Sequence, residues 1–204
     1  NDETVIVNLQ SPNNASLGTN TAHTYTIIDD IPEVTIGNQT WSAVNASVIP
    51  SAEYNLDEHY WNAYDNSNRY GTDDDNDGYF YDWNAAQTVC HSGWRFPTTG
   101  DVGELEEAAS AGDSGIDWVG LISGNRGTTE GSDLLEGGYS NFDLKLTGYR
   151  NNNGGFYNRG DFTVFWSTHT DGDPLTRRIA TGVDGIQNKK VSPIGGYVVR
   201  CIKD

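Results

Sequence analysis

Two cysteines, Cys90 and Cys201, are all that this chain of 204 residues carries, one short of its midpoint and one at its end. If they pair, they close a loop of roughly 100 residues, and in the chain-entropy account such a bridge contributes about 4.7 kcal/mol by restricting the unfolded state. It would also bring the last residues back against the middle of the chain, which excludes an extended string of elements. The alternative is two buried free thiols. Disulfides persist in oxidising compartments, so the bridge is the expectation for a protein that works outside the cell.

Location is argued by the run Thr72-Asp73-Asp74-Asp75-Asn76-Asp77-Gly78. Aspartates at alternate positions, Asp73, Asp75 and Asp77, followed by a glycine form the front half of a calcium loop. Calcium takes ~6–8 hard oxygens, and a coiled D-x-D-x-D-G segment turns several carboxylates onto one point. The backbone carbonyl near Tyr79 and the carboxylate of Asp82 are further candidate ligands. Counted from Asp73, the position where an EF-hand carries its bidentate Glu is Asn84, so this is not an EF-hand. The competing explanation is a solvated acidic loop. With Ca2+ as cofactor, the chain belongs where calcium is plentiful, outside the cell.

Net charge is −17, which argues against nucleic acid or an anionic membrane surface as partner. The 24 glycines, with frequent Asn and Asp, indicate many turns and little helix, and the 11% aromatic content indicates an aromatic-rich core. No apolar run approaches membrane-spanning length, so no membrane insertion is expected. The start at Asn1, without a leader pattern, suggests a piece of a longer chain. The histidines His23, His59, His91 and His169 lack zinc spacing, and there is no G-x-S-x-G.

Along the chain, Thr4–Leu9 and His23–Ile28 alternate as two strands of one hairpin around the turn-rich Ser11–Gly18, ended by Asp29-Asp30. Ile31-Pro32-Glu33 is a junction. Val34–Trp41 reads as a second hairpin turning at Gly37-Asn38. Asp82 caps a helix expected through Trp83–Cys90. Thr98 and Asp101 have the spacing of a capping box that opens a second helix to about Ala109. From Gly112 onward, Gly-rich loops and strands at Phe162–Ser167, Arg177–Thr181 and Tyr197–Ile202 are expected.

These pieces resemble known families. Asp2-Glu3, Val7-Asn8-Leu9, Asn14-Ala15-Ser16-Leu17-Gly18 and Thr24–Asp30 resemble the end of a Calx-beta β-sandwich, roughly its last third. In that family acidic residues at the terminal corner bind calcium, which makes Asp29 and Asp30 metal candidates beside the ordinary reading of a solvated loop. Residues 34–204 resemble the Fibrobacter succinogenes major paralogous domain family over their whole length. The motifs are Thr35-Ile36-Gly37-Asn38-Gln39-Thr40-Trp41-Ser42-Ala43, Tyr81-Asp82-Trp83-Asn84-Ala85-Ala86, Cys90-His91-Ser92-Gly93-Trp94-Arg95-Phe96-Pro97-Thr98, Gly148-Tyr149-Arg150, Gly155-Phe156, Phe165-Trp166-Ser167-Thr168 and Val198-Val199-Arg200-Cys201-Ile202-Lys203-Asp204. The acidic run is an insertion relative to that pattern, so calcium rests on local chemistry and not on the family.

The resemblance implies an α+β, C-type-lectin-like fold with two helices, a twisted antiparallel sheet and a long loop region, preceded by an N-terminal β-hairpin. It implies residues 1–32 as the end of a Calx-beta-like sandwich and 33–204 as a ligand-binding domain. It also implies a disulfide from the first helix to the last strand, in agreement with the cysteine argument. Asp117-Trp118-Val119-Gly120-Leu121 is similar to the W-I-G-L core motif of C-type lectins, but the lectin tripeptides E-P-N and Q-P-D are absent.

Calx-beta and lectin-like modules side by side resemble a repeats-in-toxin bacterial surface adhesin. The expected function is a calcium-dependent ligand-binding module that attaches the cell to a peptide or carbohydrate on another surface. It would act as a monomer beside neighbouring modules of the same chain. Candidate ligand-binding residues are Asp171, Asp173 and Asp184, which are otherwise ordinary Asp-Gly turns, and Tyr149, Tyr157 and Trp166, which are otherwise core. The alternatives are a calcium-stiffened spacer with no ligand, and an enzyme like the formylglycine-generating family, which needs active-site cysteines. If the acidic run holds a structural ion, millimolar calcium raises the thermal unfolding midpoint over that in chelator; an unchanged midpoint rejects the ion.

Overall fold

The computed structural model describes residues 3–8, 22–27, 31–48, 50, 60–62, 77–110, 123–169 and 171–204. The chain divides into two compact units, Asn1–Ile31 and Pro32–Asp204. The first holds an antiparallel pair, β1 (Glu3–Asn8) and β2 (Ala22–Ile27), in register from Glu3↔Ile27 to Asn8↔Ala22. This is the expected hairpin with its strands one residue earlier. Asp29 and Asp30 lie outside the described residues, as do Asp73, Asp75 and the segment Asp117–Leu121.

The second unit opens with β3 (Glu33–Ile36) and β4 (Gln39–Ser42), turning at Gly37-Asn38, where Gly37 has φ +59°. Then come β5 (Tyr60–Asn62), β6 (Tyr79–Tyr81), α1 (Trp83–Ala86), β7 (Trp94–Arg95) and α2 (Thr99–Ala109). β8 (Ser123–Arg126), α3 (Glu130–Leu134), β9 (Tyr149–Arg150) and β10 (Phe156–Tyr157) precede the long antiparallel strands β11 (Phe162–Thr168), β12 (Pro174–Ala180) and β13 (Ile186–Lys190). β14 (Ile202–Lys203) ends the chain. One four-stranded sheet has the order β11-β12-β13-β8, and a second has β3-β4-β14-β7. The fold is α+β, with mostly antiparallel pairing among the described residues. No helix among them is long and apolar enough to cross a membrane.

Strands alternate side chains between two faces, and here both faces carry core side chains. Phe165, Ile179, Ile186, Val198 and Phe80 point into one core with Val102, Leu105 and Ala109 of α2 and Leu134 of α3. Their strand neighbours Val164, Trp166, Tyr197, Val199 and Tyr81 join a second core with Trp83, Ala85, Ala86 and Val89. Trp166, expected as a stacking surface, is fully buried in that second core and donates its indole N–H to the Tyr81 carbonyl at 2.8 Å. In this structure it is a core residue.

The capping box forms as expected. The Thr98 hydroxyl accepts from Asp101 N at 3.2 Å, and the Asp101 carboxylate accepts from Thr98 N at 2.7 Å. Burial raises Asp101, but bonds from Arg95 and Thr98 outweigh it and hold the carboxyl below its ordinary value. The helix expected over Trp83–Cys90 stops at Ala86. Thr88 turns back on Ala85, giving its carbonyl both its N–H and its hydroxyl at 2.9 Å, and the Gln87 amide takes the Trp83 carbonyl at 3.0 Å. Side chains thus satisfy the carbonyls that would continue the helix. Cys90 follows the helix and bonds to Cys201, with Cα atoms 5.7 Å apart. The bridge is compatible with an extracellular protein.

The strand expected over Tyr197–Ile202 also differs. Its residues alternate partners instead of laddering with one strand. Tyr197 pairs with Tyr81 and Val198 with Phe165, leaving only β14 as a named strand. α3 was not foreseen, because a turn and a half is too short for helical periodicity to show.

Two buried arginines hold these layers. Arg177, fully buried, donates its Nε–H to Glu106 of α2 at 2.8 Å and another N–H to Thr99 at 2.8 Å. Arg200 donates to the Asn45 side chain at 2.9 Å and to the carbonyls of Ser42, Phe142 and Asp143 at 2.8, 3.0 and 3.0 Å. Burial pulls the Arg200 guanidinium down to about 9, against the opposing pull of Asp143, so it stays charged at neutral pH. Removing one partner of a buried ion pair costs about 3–5 kcal/mol, because the other charge stays buried. Glu106→Gln is therefore expected to lower unfolding stability by that order in a urea titration. The double change Glu106→Leu with Arg177→Met is expected to recover most of it.

Candidate functional site

The alternation that buries Trp166 also builds a surface cavity. On β11 the residues on the Trp166 side are Phe162 and Val164; across the register Val164 faces Arg178 and Trp166 faces Thr176. On β13, Gln187 stands opposite Arg178 and Lys189 opposite Thr176. These seven strand residues lie on one face, and all but the buried Trp166, with Tyr149, Val191 and Tyr197, line a cavity of about 250 Å3. That is below the ~300–1,000 Å3 usual for drug-sized ligands, a size for one ring or one terminal group.

Near-parallel aromatic rings form part of the wall. Tyr149 stacks on Phe162 with centroids 5.5 Å apart and on Tyr197 at 6.1 Å. Tyr157, exposed, leans on Tyr149 at 5.8 Å. The Arg178 guanidinium lies 4.1 Å over the Phe162 ring and donates to Gln187 Oε1 at 3.3 Å. It is thus held from two sides by neutral groups. Neither Arg178 nor Lys189 forms an ion pair among the described residues, and none of the lining residues is acidic. In a chain of net charge −17, two uncompensated cations on one small cavity are a local reversal of sign.

The residues singled out by sequence fall elsewhere, except Tyr149 and its neighbour Tyr157. Asp171 and Asp173 sit in the turn between β11 and β12. Asp171 accepts from Asp173 N at 3.1 Å and bonds His169 Nδ1 at 2.6 Å, and these contacts hold its carboxyl down at about 2. Lys190 bonds Asp173 at 2.7 Å. Asp184 is exposed, and its backbone carbonyl receives the Gly131 N–H at 2.7 Å. None of these three lines the cavity.

Of the candidate calcium ligands, Asp82 caps α1 by accepting from Ala85 N at 2.9 Å. Tyr79 lies in β6, where it pairs with Asn62. Asp77 is 4% exposed, and its carboxylate pairs with Arg159 and, at 3.9 Å, with Lys145. Gly78 has φ +74°, and a Cβ there would meet Asn45 Cβ at 2.6 Å and the Ala46 carbonyl at 2.7 Å, so the glycine is required as expected. Among the described residues, no three His, Cys, Asp or Glu side chains cluster as a metal site.

Sequence reasoning missed Arg178, Gln187, Lys189 and Thr176. The signal available was period-two spacing: Thr176 and Arg178, or Gln187 and Lys189, share a face once both segments are strands. Arg177-Arg178 and Lys189-Lys190 look like undifferentiated charge until the register separates them.

Residues 34–203 match the Fibrobacter succinogenes major domain. The chain belongs to that family. No curated protein and no solved structure matches the chain. The family match spans both cores, the disulfide and the cavity, so the cavity is part of the domain itself.

Tyr197 offers a probe of the site. Burial, then the neighbouring Tyr149, pushes its phenol up from 10.0 to about 12. The folded protein therefore keeps a proton that the unfolded chain releases, and stability is lost as pH rises through that window. Melting midpoints from neutral to about pH 11 should fall more steeply in the parent than in Tyr197→Phe. Equal slopes would show that this phenol does not titrate abnormally.

Proposed function

We propose that residues 33–204 are a non-catalytic, C-type-lectin-like ligand-binding module of a large bacterial surface adhesin, working outside the cell beside a Calx-beta-like neighbour. The observation that carries this reading is the cavity on β11, β12 and β13, with a cation pre-positioned by an aromatic ring and an amide and left without an acidic partner. Preformed cavities with a few convergent polar groups are the usual form of a small-ligand site. A guanidinium held in place has less conformational freedom to lose on binding. The two cysteines are bonded to each other, which leaves among the described residues no thiol for chemistry of the formylglycine-generating kind.

Calcium enters the proposal through the acidic run alone. With Asp77 facing two cations, an ion there draws on Asp73 and Asp75. The cavity's cations need no metal to attract a ligand. Cell attachment through a terminal group of a glycan or peptide, with calcium in a stabilising role, is the resulting picture.

The test is a screen of the immobilised chain against glycan and peptide arrays, in calcium and in chelator. The expected result is a set of hits that survive chelator and disappear in Gln187→Trp, which fills the cavity from a half-exposed strand position. No hits on either array, or hits unchanged in Gln187→Trp, would overturn the reading and favour a spacer module.

A further inference from the structure

We infer that the cavity takes an acidic sugar, a hexuronic acid unit of a glycan; this rests on the ligand-binding reading above. Three features point there. The first is charge: Arg178 and Lys189 stand at diagonal positions on β12 and β13, with the register pairing Arg178 to Gln187 and Thr176 to Lys189. Both are free of acidic partners among the described residues, and the Arg178 fork is fixed over Phe162. A planar guanidinium matches a carboxylate by paired, charge-assisted hydrogen bonds.

The second feature is the wall. Tyr149 stacks on Phe162 and Tyr197, and Arg178 covers Phe162, so the rings give the ligand a rigid apolar border. Tyr149, Phe162 and Tyr197 are near-parallel, with interplanar angles of 22° and 17° about Tyr149. Around them the Gln187 amide and the tyrosine phenols supply hydrogen-bonding groups, and the Thr176 hydroxyl, which donates to the Lys189 carbonyl at 3.1 Å, can still accept. A purely apolar group would desolvate these without pairing them, which is costly. A ring bearing hydroxyls and one carboxylate satisfies both sets.

The third feature separates a sugar from a peptide. Peptides are commonly held by main-chain bonds at a free strand edge or in a nest of backbone N–H groups. Here β12 is paired on both sides, to β11 and β13. The outer edge of β11 is taken too: Trp166 N–H bonds the Val198 carbonyl at 3.0 Å, and the Phe162 carbonyl receives Gly148 N–H at 2.8 Å. Recognition in the cavity is by side chains, which suits a compact ring. At about 250 Å3 there is room for one unit and not a chain.

The experiment titrates D-glucuronate, D-glucose and a short peptide with a free C-terminal carboxylate into the full chain, followed by amide chemical shifts. Parallel titrations use Arg178→Met, which keeps the stem on Phe162, and the exposed-site change Lys189→Gln. Each variant is first checked for an unchanged melting midpoint. Glucuronate is expected to shift the Tyr149, Phe162 and Tyr197 amides, to bind at least about tenfold more tightly than glucose, and to weaken with added salt. Arg178→Met should reduce its affinity at least about tenfold, and Lys189→Gln should reduce it less. Glucuronate binding no better than glucose, or unaffected by both variants, would overturn the inference. If only the peptide shifts the cavity amides, the sugar assignment fails while the ligand-binding reading stands. If neither binds and the array screen is also empty, both fail.

Discussion

The domain depends on one guanidinium that has no anionic partner bonded to it. Arg200 lies fully inside, with four hydrogen bonds running to neutral acceptors on two separate stretches: Ser42 at the end of β4 with Asn45 just beyond it, and Phe142-Asp143. It also lies 4.9 Å over the Phe142 ring. Burying a charge this way is unfavourable unless its donors are met. Segments far apart in sequence must therefore converge together for any one of them to be stable there. The next residue, Cys201, is covalently tied to Cys90. Adjacent residues thus fasten the chain's end by a bond and by a charge. Asn45 extends the arrangement, since its amide donates to the Asp77 carbonyl at 3.0 Å.

The central strands then divide the interior. Because each carries core side chains on both faces, α2 and α3 cover one side, and α1 with the disulfide covers the other. The second side is covered only in part. Beyond Trp166 and Tyr197 the aromatic layer continues to Phe162 and Tyr149, where it meets solvent and the two cations. The candidate site is thus the outer margin of a core, made of the same stacked rings that stabilise the fold. A rigid wall of this kind is a natural support for a binding site.

How much of this was legible in the sequence depended on the range of the interaction. Local signals served well. Thr98 and Asp101 announced their capping box, Gly37-Asn38 its turn, and Gly78 its positive φ, because each is decided within a few residues. The motifs around Cys90 and Cys201 carried the family and the bridge. Signals failed where distant partners decide. Thr88 and Gln87 shorten α1 through hydrogen bonds that propensity does not count. Tyr197 and Val198 divide their pairing between β6 and β11. Trp166 was a candidate for a ligand face, although aromatics of this kind are more often core, and the second layer decides for the core. The cavity cations were hidden because Arg177 and Arg178 are neighbours in sequence and opposites in space, one bonded to Glu106 and the other resting on Phe162.

The pairing of β5 with β6 has a consequence for the acidic run. Asn62 stands directly across from Tyr79, so the stretch between them leaves and rejoins the domain at neighbouring points. Its return is clamped by Gly78, by Asn45 on the Asp77 backbone and by Arg159 on the Asp77 side chain. Closing a stretch between fixed, adjacent ends costs little extra as it lengthens, about 0.6 kcal/mol for each doubling. A modest change in the number of residues between Asn62 and Asp77 is therefore a small entropic perturbation, because the far end is held by Asn45 and Arg159 on Asp77 and not by the length of chain between.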